Sequence, residues 1–119
     1  MRIHHLALRT GDLGRLERFY VEAIGLAVVR RQGDRSVWLE AGGAIVMLER
    51  RDADEPGIAP GTKELVAFAI EPGARRDAMR RLERAGVPVD AETPYTIYAR
   101  DPDGRRIGLS SYPDAGETA

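Results

Sequence analysis

One order of secondary-structure signals occurs twice along this sequence, about 60 residues apart, and that repetition restricts the chain to a fold built from two like units. In the first copy, RIHHLALR (2–9) alternates as a half-buried strand, with His5, Ala7 and Arg9 on one face and Leu6 and Leu8, with His4, on the other. Leu13, Leu16, Phe19, Tyr20, Ala23 and Ile24 then recur at i, i+3, i+4 spacing. They predict one amphipathic helix that Asp12 caps and Gly25 stops. LAVVR, SVWLE and AIVMLE follow as three short strands, separated by RQGDR and AGG, which are turn signals of hairpin length.

Residues 51–62, RDADEPGIAPGT, hold two Pro, two Gly and four charges without periodicity and read as a linker. Beyond it the order returns. ELVAFAIE is a strand, RRDAMRRLERAG a helix ending at Gly86, and VPVDA a short strand. TIYAR and RIGLSSY form a hairpin around Asp101-Pro102-Asp103-Gly104, with Gly104 at positive φ. HLAL (5–8) matches LVAF (65–68), IGLAVV (24–29) matches AGVPV (85–89), and AIVML matches RRIGL, at offsets of 60 or 61. The expectation is an α+β domain of two βαβββ modules, 1–50 and 63–112, with the linker 51–62 between them and an untethered tail 113–119.

Composition narrows the function. At 119 residues one domain is the default. Eighteen basic against 19 acidic residues leave a net charge of -1, which argues against nucleic acid as the main partner. Without cysteine there is no disulfide framework, thiolate metal site or cysteine nucleophile. MRIHHLALRTGDLG lacks a signal peptide's apolar region, and no run approaches the ~20 residues that span a bilayer. A soluble, cytoplasmic protein without a membrane partner is therefore expected. GDLG and AGG lack the context of a phosphate-binding loop, and no GxSxG elbow exists. Ser110 and Ser111 read as the solvated end of a strand, and the Asp-Pro-Asp-Gly turn lacks the ligand series of a calcium loop.

IHHLALRTGDLGRLERFYVEAIGL (3–26) and YARDPDGRRIGL (98–109) resemble the vicinal oxygen chelate superfamily, which comprises the glyoxalase, bleomycin-resistance and extradiol-dioxygenase proteins. The resemblance implies that each module curls its strands into half of a cupped mixed β-sheet, with helices on the convex side and a ligand in the cup. It also implies a homodimer. Strand parity agrees, because Leu6, Leu8, Val46, Leu48, Val66, Phe68, Ile70, Ile107 and Leu109 share the parity that packs on helices, leaving the opposite parity for the cup.

In metal-dependent relatives the cup carries up to four ligands, and by the resemblance those positions here are His5, Met47, Leu65 and Gly108. Only His5 is a ligand type, whereas a catalytic divalent ion takes about three protein ligands. His4 and Glu64 adjoin ligand positions with the wrong parity. A one-residue slip to bring them inward would expose five apolar side chains at ~1.5–3 kcal/mol each. Glu49 shares the parity of Met47 and is the one candidate partner for His5 in a metal site; otherwise His5 lines the cup and hydrogen-bonds a neighbour or ligand, and His4 packs among helix-facing residues.

The remaining cup positions are Ala7, Met47, Leu65, Ala67 and, by alternation against Val37 and Leu39, Trp38, with Arg9 and Arg100 toward the rim; the resemblance adds Tyr98, three residues before the Asp-Pro-Asp-Gly turn, where relatives often place a ligand-contacting aromatic. Such walls suit a flat or partly apolar small molecule. Three readings follow. The first is a metal-free binding protein resembling the bleomycin-resistance branch, with no cofactor, holding an aromatic or amphipathic compound. The second is a lyase, isomerase or dioxygenase of the glyoxalase type that uses one divalent metal ion. The third is a metal-free enzyme with His5 as general base and Arg9 or Tyr98 stabilising an oxyanion.

Overall fold

In the computed structural model, which describes residues 1–116, the chain forms two compact units that part within the linker, Met1–Gly57 and Ile58 onward. The first unit holds β1 (His5–Thr10), α1 (Leu13–Arg18), a π-helical turn (Phe19–Ile24), β2 (Ala27–Gln32), β3 (Ser36–Ala41) and β4 (Ala44–Arg50). The second holds β5 (Leu65–Ala69), a 3₁₀ turn (Pro72–Ala74), α2 (Arg75–Arg84), β6 (Ala91–Glu92), β7 (Thr96–Arg100) and β8 (Arg106–Ser110). Each unit is one four-stranded mixed sheet, ordered β1-β4-β3-β2 and β5-β8-β7-β6, with the outer pairs β1/β4 and β5/β8 parallel. The fold is therefore α+β with tandem βαβββ modules. Each module carries one such four-stranded sheet.

Register divides each sheet into the two faces that alternation predicts. Leu6, Val46, Leu39 and Val28 form one cross-strand row and Leu8, Leu48, Val37 and Arg31 the next. Leu39 and Leu48 are fully buried there, and α1 packs on β3 and β4 with Leu13 and Leu16 buried. At ~1.5–3 kcal/mol per buried aliphatic side chain, this face fixes the register. In the second unit Val66, Ile107 and Ala99 form one row and Phe68, Leu109 and Ile97 the next, and α2 buries Ala78 and Leu82.

The helix of the first unit starts and stops where the sequence indicates. Asp12 Oδ1 accepts from Arg15 N at 3.1 Å, and Gly25 ends the element at φ 94°. Its second half differs from the single α-helix expected over 13–24. From Phe19 the turn widens, and both Gly25 N (3.1 Å) and Leu26 N (2.9 Å) donate to Tyr20 O. The i→i+5 closure keeps the adjacent pairs Phe19–Tyr20 and Ala23–Ile24 on the apolar side together, and all four are buried.

Three further expectations change. The strand anticipated over 87–91 shrinks to Ala91–Glu92, because Val87 N closes α2 on Leu82 O at 2.9 Å and Pro88 has no N–H to give a ladder. Ser111 is buried rather than solvated, its hydroxyl donating to Asp114 O at 2.6 Å. The tail is accordingly tied through Gly116, whose N donates to Pro94 O at 2.7 Å; residues 117–119 lie outside the described ones. The 101–105 turn forms as expected. Asp101 accepts from Asp103 N (2.9 Å) and Arg105 N (3.0 Å), and Gly104 sits at φ 96°.

Candidate functional site

The sheet face opposite the buried rows gathers the residues of interest, module by module. In the first module Ala7, Met47, Trp38 and Arg30 occupy one cross-strand row, Arg9, Glu49, Ser36 and Gln32 the row above, and His5, Ile45 and Glu40 the row below. In the second, Ala67, Gly108, Tyr98 and Ala91 form a row flanked by Leu65, Arg106 and Arg100 on one side and by Ala69, Ser110 and Thr96 on the other. Trp38 and Tyr98 therefore stand at equivalent places in the two repeats, 60 residues apart.

Each ring carries an arginine. The Arg30 guanidinium lies 5.3 Å from the Trp38 ring centroid and that of Arg106 lies 4.1 Å from the centroid of Tyr98. In the first module a β-bulge creates the pairing. The β2/β3 register jumps between Val28 and Arg30, so that Arg30, rather than Val29, faces Trp38. Trp38 is half-buried, and its Nε1–H is buried without an acceptor. Neither Arg30 nor Arg106 stood out in the sequence. AVVRR does not alternate cleanly, so the bulge leaves no readable signal there.

Arg9 reaches the linker. Its Nη2 and Glu55 Oε1 are 2.7 Å apart, its Nε donates to both Glu55 oxygens at 3.2 Å, Glu49 Oε1 lies at 3.4 Å and Asp52 Oδ2 at 3.6 Å. The hydrogen bond from Arg9 holds the Glu55 carboxyl below its ordinary pKa, and the same contact raises that of Arg9. Arg100 is similarly engaged, donating to Thr62 O and Gly104 O with Asp90 at 3.5 Å.

The histidines depart from expectation. His4 is exposed rather than packed under a helix, although its carbonyl accepts from Ile45 N at 3.0 Å. The two imidazoles meet edge to face, Nδ1 to Nδ1 at 2.9 Å, so one of these nitrogens carries the proton and the other accepts it. The suggested His5–Glu49 pair is not assembled. Glu49 is registered opposite Arg9, four residues along the strand from His5, or about 13 Å at the rise of a strand.

Comparison with known proteins bears on what these faces serve. The profile of the Glyoxalase/Bleomycin resistance protein/Dioxygenase superfamily matches residues 2–109. The chain belongs to this superfamily. It is similar to virulence protein STM3117 of Salmonella typhimurium, with 28% identity covering 93% of this chain and 84% of that protein. The crystal structure of that protein superposes with a TM-score of 0.70, at 27% identity over 92% of this chain and 95% of that one. Lactoylglutathione lyase from Agrobacterium tumefaciens shares the fold at TM-score 0.71 and 24% identity, covering 92% of both chains. A mutant of the fosfomycin resistance protein FosX from Listeria monocytogenes, complexed with Mn(II) and 1S,2S-dihydroxypropylphosphonic acid, does so at 0.73 and 19%, covering 93% of this chain and 89% of that one.

A divalent metal serves some members of the superfamily, and the residues present here do not fit one. The four positions His5, Met47, Leu65 and Gly108 offer a single nitrogen donor. At Gly108 a Cβ would lie 3.3 Å from both Ala67 Cβ and Thr96 Cγ2, so a carboxylate side chain has no ready place there. Among the described residues no group of three or more His, Cys, Asp or Glu is placed to hold an ion. Also among the described residues, no helix is long and apolar enough to cross a membrane.

Proposed function

We propose that the chain is a metal-free small-molecule-binding protein that holds an aromatic or amphipathic compound against an aromatic-bearing sheet face of a module. The observation that carries this reading is Trp38. It stands between Met47 and Arg30 in one row, with Ala7 beside Met47, and its buried indole N–H lacks an acceptor. A buried donor without a partner costs ~1–3 kcal/mol, which a ligand acceptor would recover. Around it, Ala7 and Met47 supply apolar contact, as Leu65, Ala67 and Gly108 do beside Tyr98. His5 and Arg100 offer polar edges, while Arg9 braces the linker.

Catalysis by the residues present has weaker support. His5 is exposed with its Nδ1 taken up by the hydrogen bond to His4, and Arg9 is held by three carboxylates rather than presented to an oxyanion. Because Trp38 is the one tryptophan of the chain, its fluorescence reports on the first module directly. Screening aromatic compounds in the presence of a chelator is expected to yield saturable quenching or a spectral shift. Trp38→Ala is expected to weaken binding by ~2 kcal/mol or more. A bound ligand that leaves both intensity and emission maximum of Trp38 unchanged refutes its place in the site.

The same reading includes a homodimer, since β1, β2, β5 and β6 are sheet edges and Leu65 on β5 is exposed. A solution mass of twice 13.1 kDa is expected at micromolar concentration, and a monomer mass contradicts it.

A further inference from the structure

We infer that Arg106 is an anion-binding residue and that the ligand of the second module carries a carboxylate or phosphate group. The inference rests on the reading of this sheet face as ligand-binding and adds the charge of what it binds.

Four observations converge on Arg106. It sits on β8, an interior strand, so its side chain rises from the middle of the sheet rather than from a solvated edge. Its register partner on β7 is Arg100, which places two like charges directly across a strand pair, and its partner on β5 is Leu65. Its Nε–H is buried with no acceptor, and among the described residues no carboxylate pairs with it. Finally, the guanidinium is stacked at 4.1 Å over the Tyr98 ring, which orients its plane.

The neighbouring arginines are paired. Arg105, one residue earlier, meets Asp101 at 3.1 Å and Asp103 at 3.2 Å. Arg100 has Asp90 and two carbonyls. Arg106 alone of the three is left with an aromatic face and an unused donor. A half-buried cation facing a like charge without a counter-ion is unfavourable in isolation, and such breaches of local consistency concentrate at functional sites. An oxyanion relieves it, because the guanidinium presents parallel N–H donors at the spacing of a carboxylate or phosphate edge. The apolar remainder of the ligand would then lie over Tyr98, Gly108 and Ala67, the next row of the same face.

The test uses benzoate, phenyl phosphate and the neutral isostere benzamide, titrated into the full chain while the Arg106 Nε–H and Tyr98 ring resonances are followed by NMR. Both anions are expected to shift the Arg106 signal and to bind about 10- to 100-fold more tightly than benzamide, the range of a charge-assisted hydrogen bond. The rank of the two anions identifies which oxyanion the site prefers. Arg106→Gln is expected to lower benzoate to the affinity of benzamide, and Arg106→Lys to retain part of the difference. Arg80→Gln, which removes an exposed charge on α2, is expected to change nothing. Equal affinity for benzoate and benzamide, or equal effects of Arg106→Gln and Arg80→Gln, overturns the anion assignment and leaves the small-molecule reading standing. Absence of binding by all three compounds at millimolar concentration overturns both.

Discussion

Gly108 is the position where the superfamily resemblance and the packing of this chain meet, and substituting it tests how firmly this chain has closed a ligand position. In Gly108→Ala two effects oppose each other. Replacing glycine inside a strand favours the folded state by ~0.5–1 kcal/mol through chain entropy. Against that, the new Cβ would sit 3.3 Å from Ala67 Cβ and Thr96 Cγ2 and 3.5 Å from Leu65 Cδ1. Ala67 Cβ moves only with its backbone. The Thr96 methyl is pinned, because its hydroxyl donates to Ser110 Oγ at 2.8 Å and its N–H to Thr93 Oγ1 at 3.0 Å. Overpacking of this kind costs ~1–3 kcal/mol, so a net loss of about 1 kcal/mol is expected. In urea that moves the unfolding midpoint down by about 0.5 M. Thr96→Ser keeps the hydroxyl and removes the methyl, so in the double variant about half of the loss should return as a favourable coupling. A neutral or stabilising Gly108→Ala, with no coupling to Thr96→Ser, refutes the account of this position.

Leu48, fully buried under the helix-covered face, should cost ~2–5 kcal/mol as Leu48→Ala, read from the same denaturation curves; a loss below ~1 kcal/mol contradicts its place in the core. Asp101→Ala removes the acceptor for Asp103 N, Arg105 N and the Arg105 guanidinium and should cost ~2–3 kcal/mol, with Asp101→Asn costing less, and equal costs refute the charge-assisted part of the turn. The folded-state pKa of Glu55 is depressed, so the pairing with Arg9 stabilises the fold above the ordinary carboxylate range near 4.5 and is lost as pH falls below it. The stability difference between wild type and Glu55→Gln should therefore be present at pH 7 and close toward pH 3; a pH-independent difference rules the linkage out.

Much of the architecture was legible because local signals and burial agreed. Asp12 and Gly25 bound the first helix, Gly104 the last hairpin, and the parity of Leu8, Val46, Leu48, Ile107 and Leu109 fixed which sheet face is covered. What escaped depends on hydrogen bonding that side-chain periodicity does not encode. Apolar spacing over 19–24 suits an α-helix, and only closure on Tyr20 O makes it a π turn. The bulge at β2 turns on which of Val29 and Arg30 faces Trp38, a choice that AVVRR leaves open. On the candidate faces, the common side of Ala7, Met47 and Trp38 follows from alternation, whereas Tyr98 is read from its place before the Asp-Pro-Asp-Gly turn and Gly108 from the resemblance; register puts both in one row with Ala67. The separation of Glu49 from His5 depended on strand register, and the capture of Arg9 by Glu55 on a linker without any periodic pattern.

The central claim is that this member of the superfamily binds its ligand without a divalent ion. Protein purified without chelators, analysed for Zn, Mn, Ni and Fe and then titrated with a bound aromatic compound before and after treatment with EDTA, tests it most directly. The account predicts less than about a tenth of a metal equivalent per chain and a dissociation constant unchanged by EDTA. Near-stoichiometric metal together with binding that EDTA abolishes and the metal restores would contradict it.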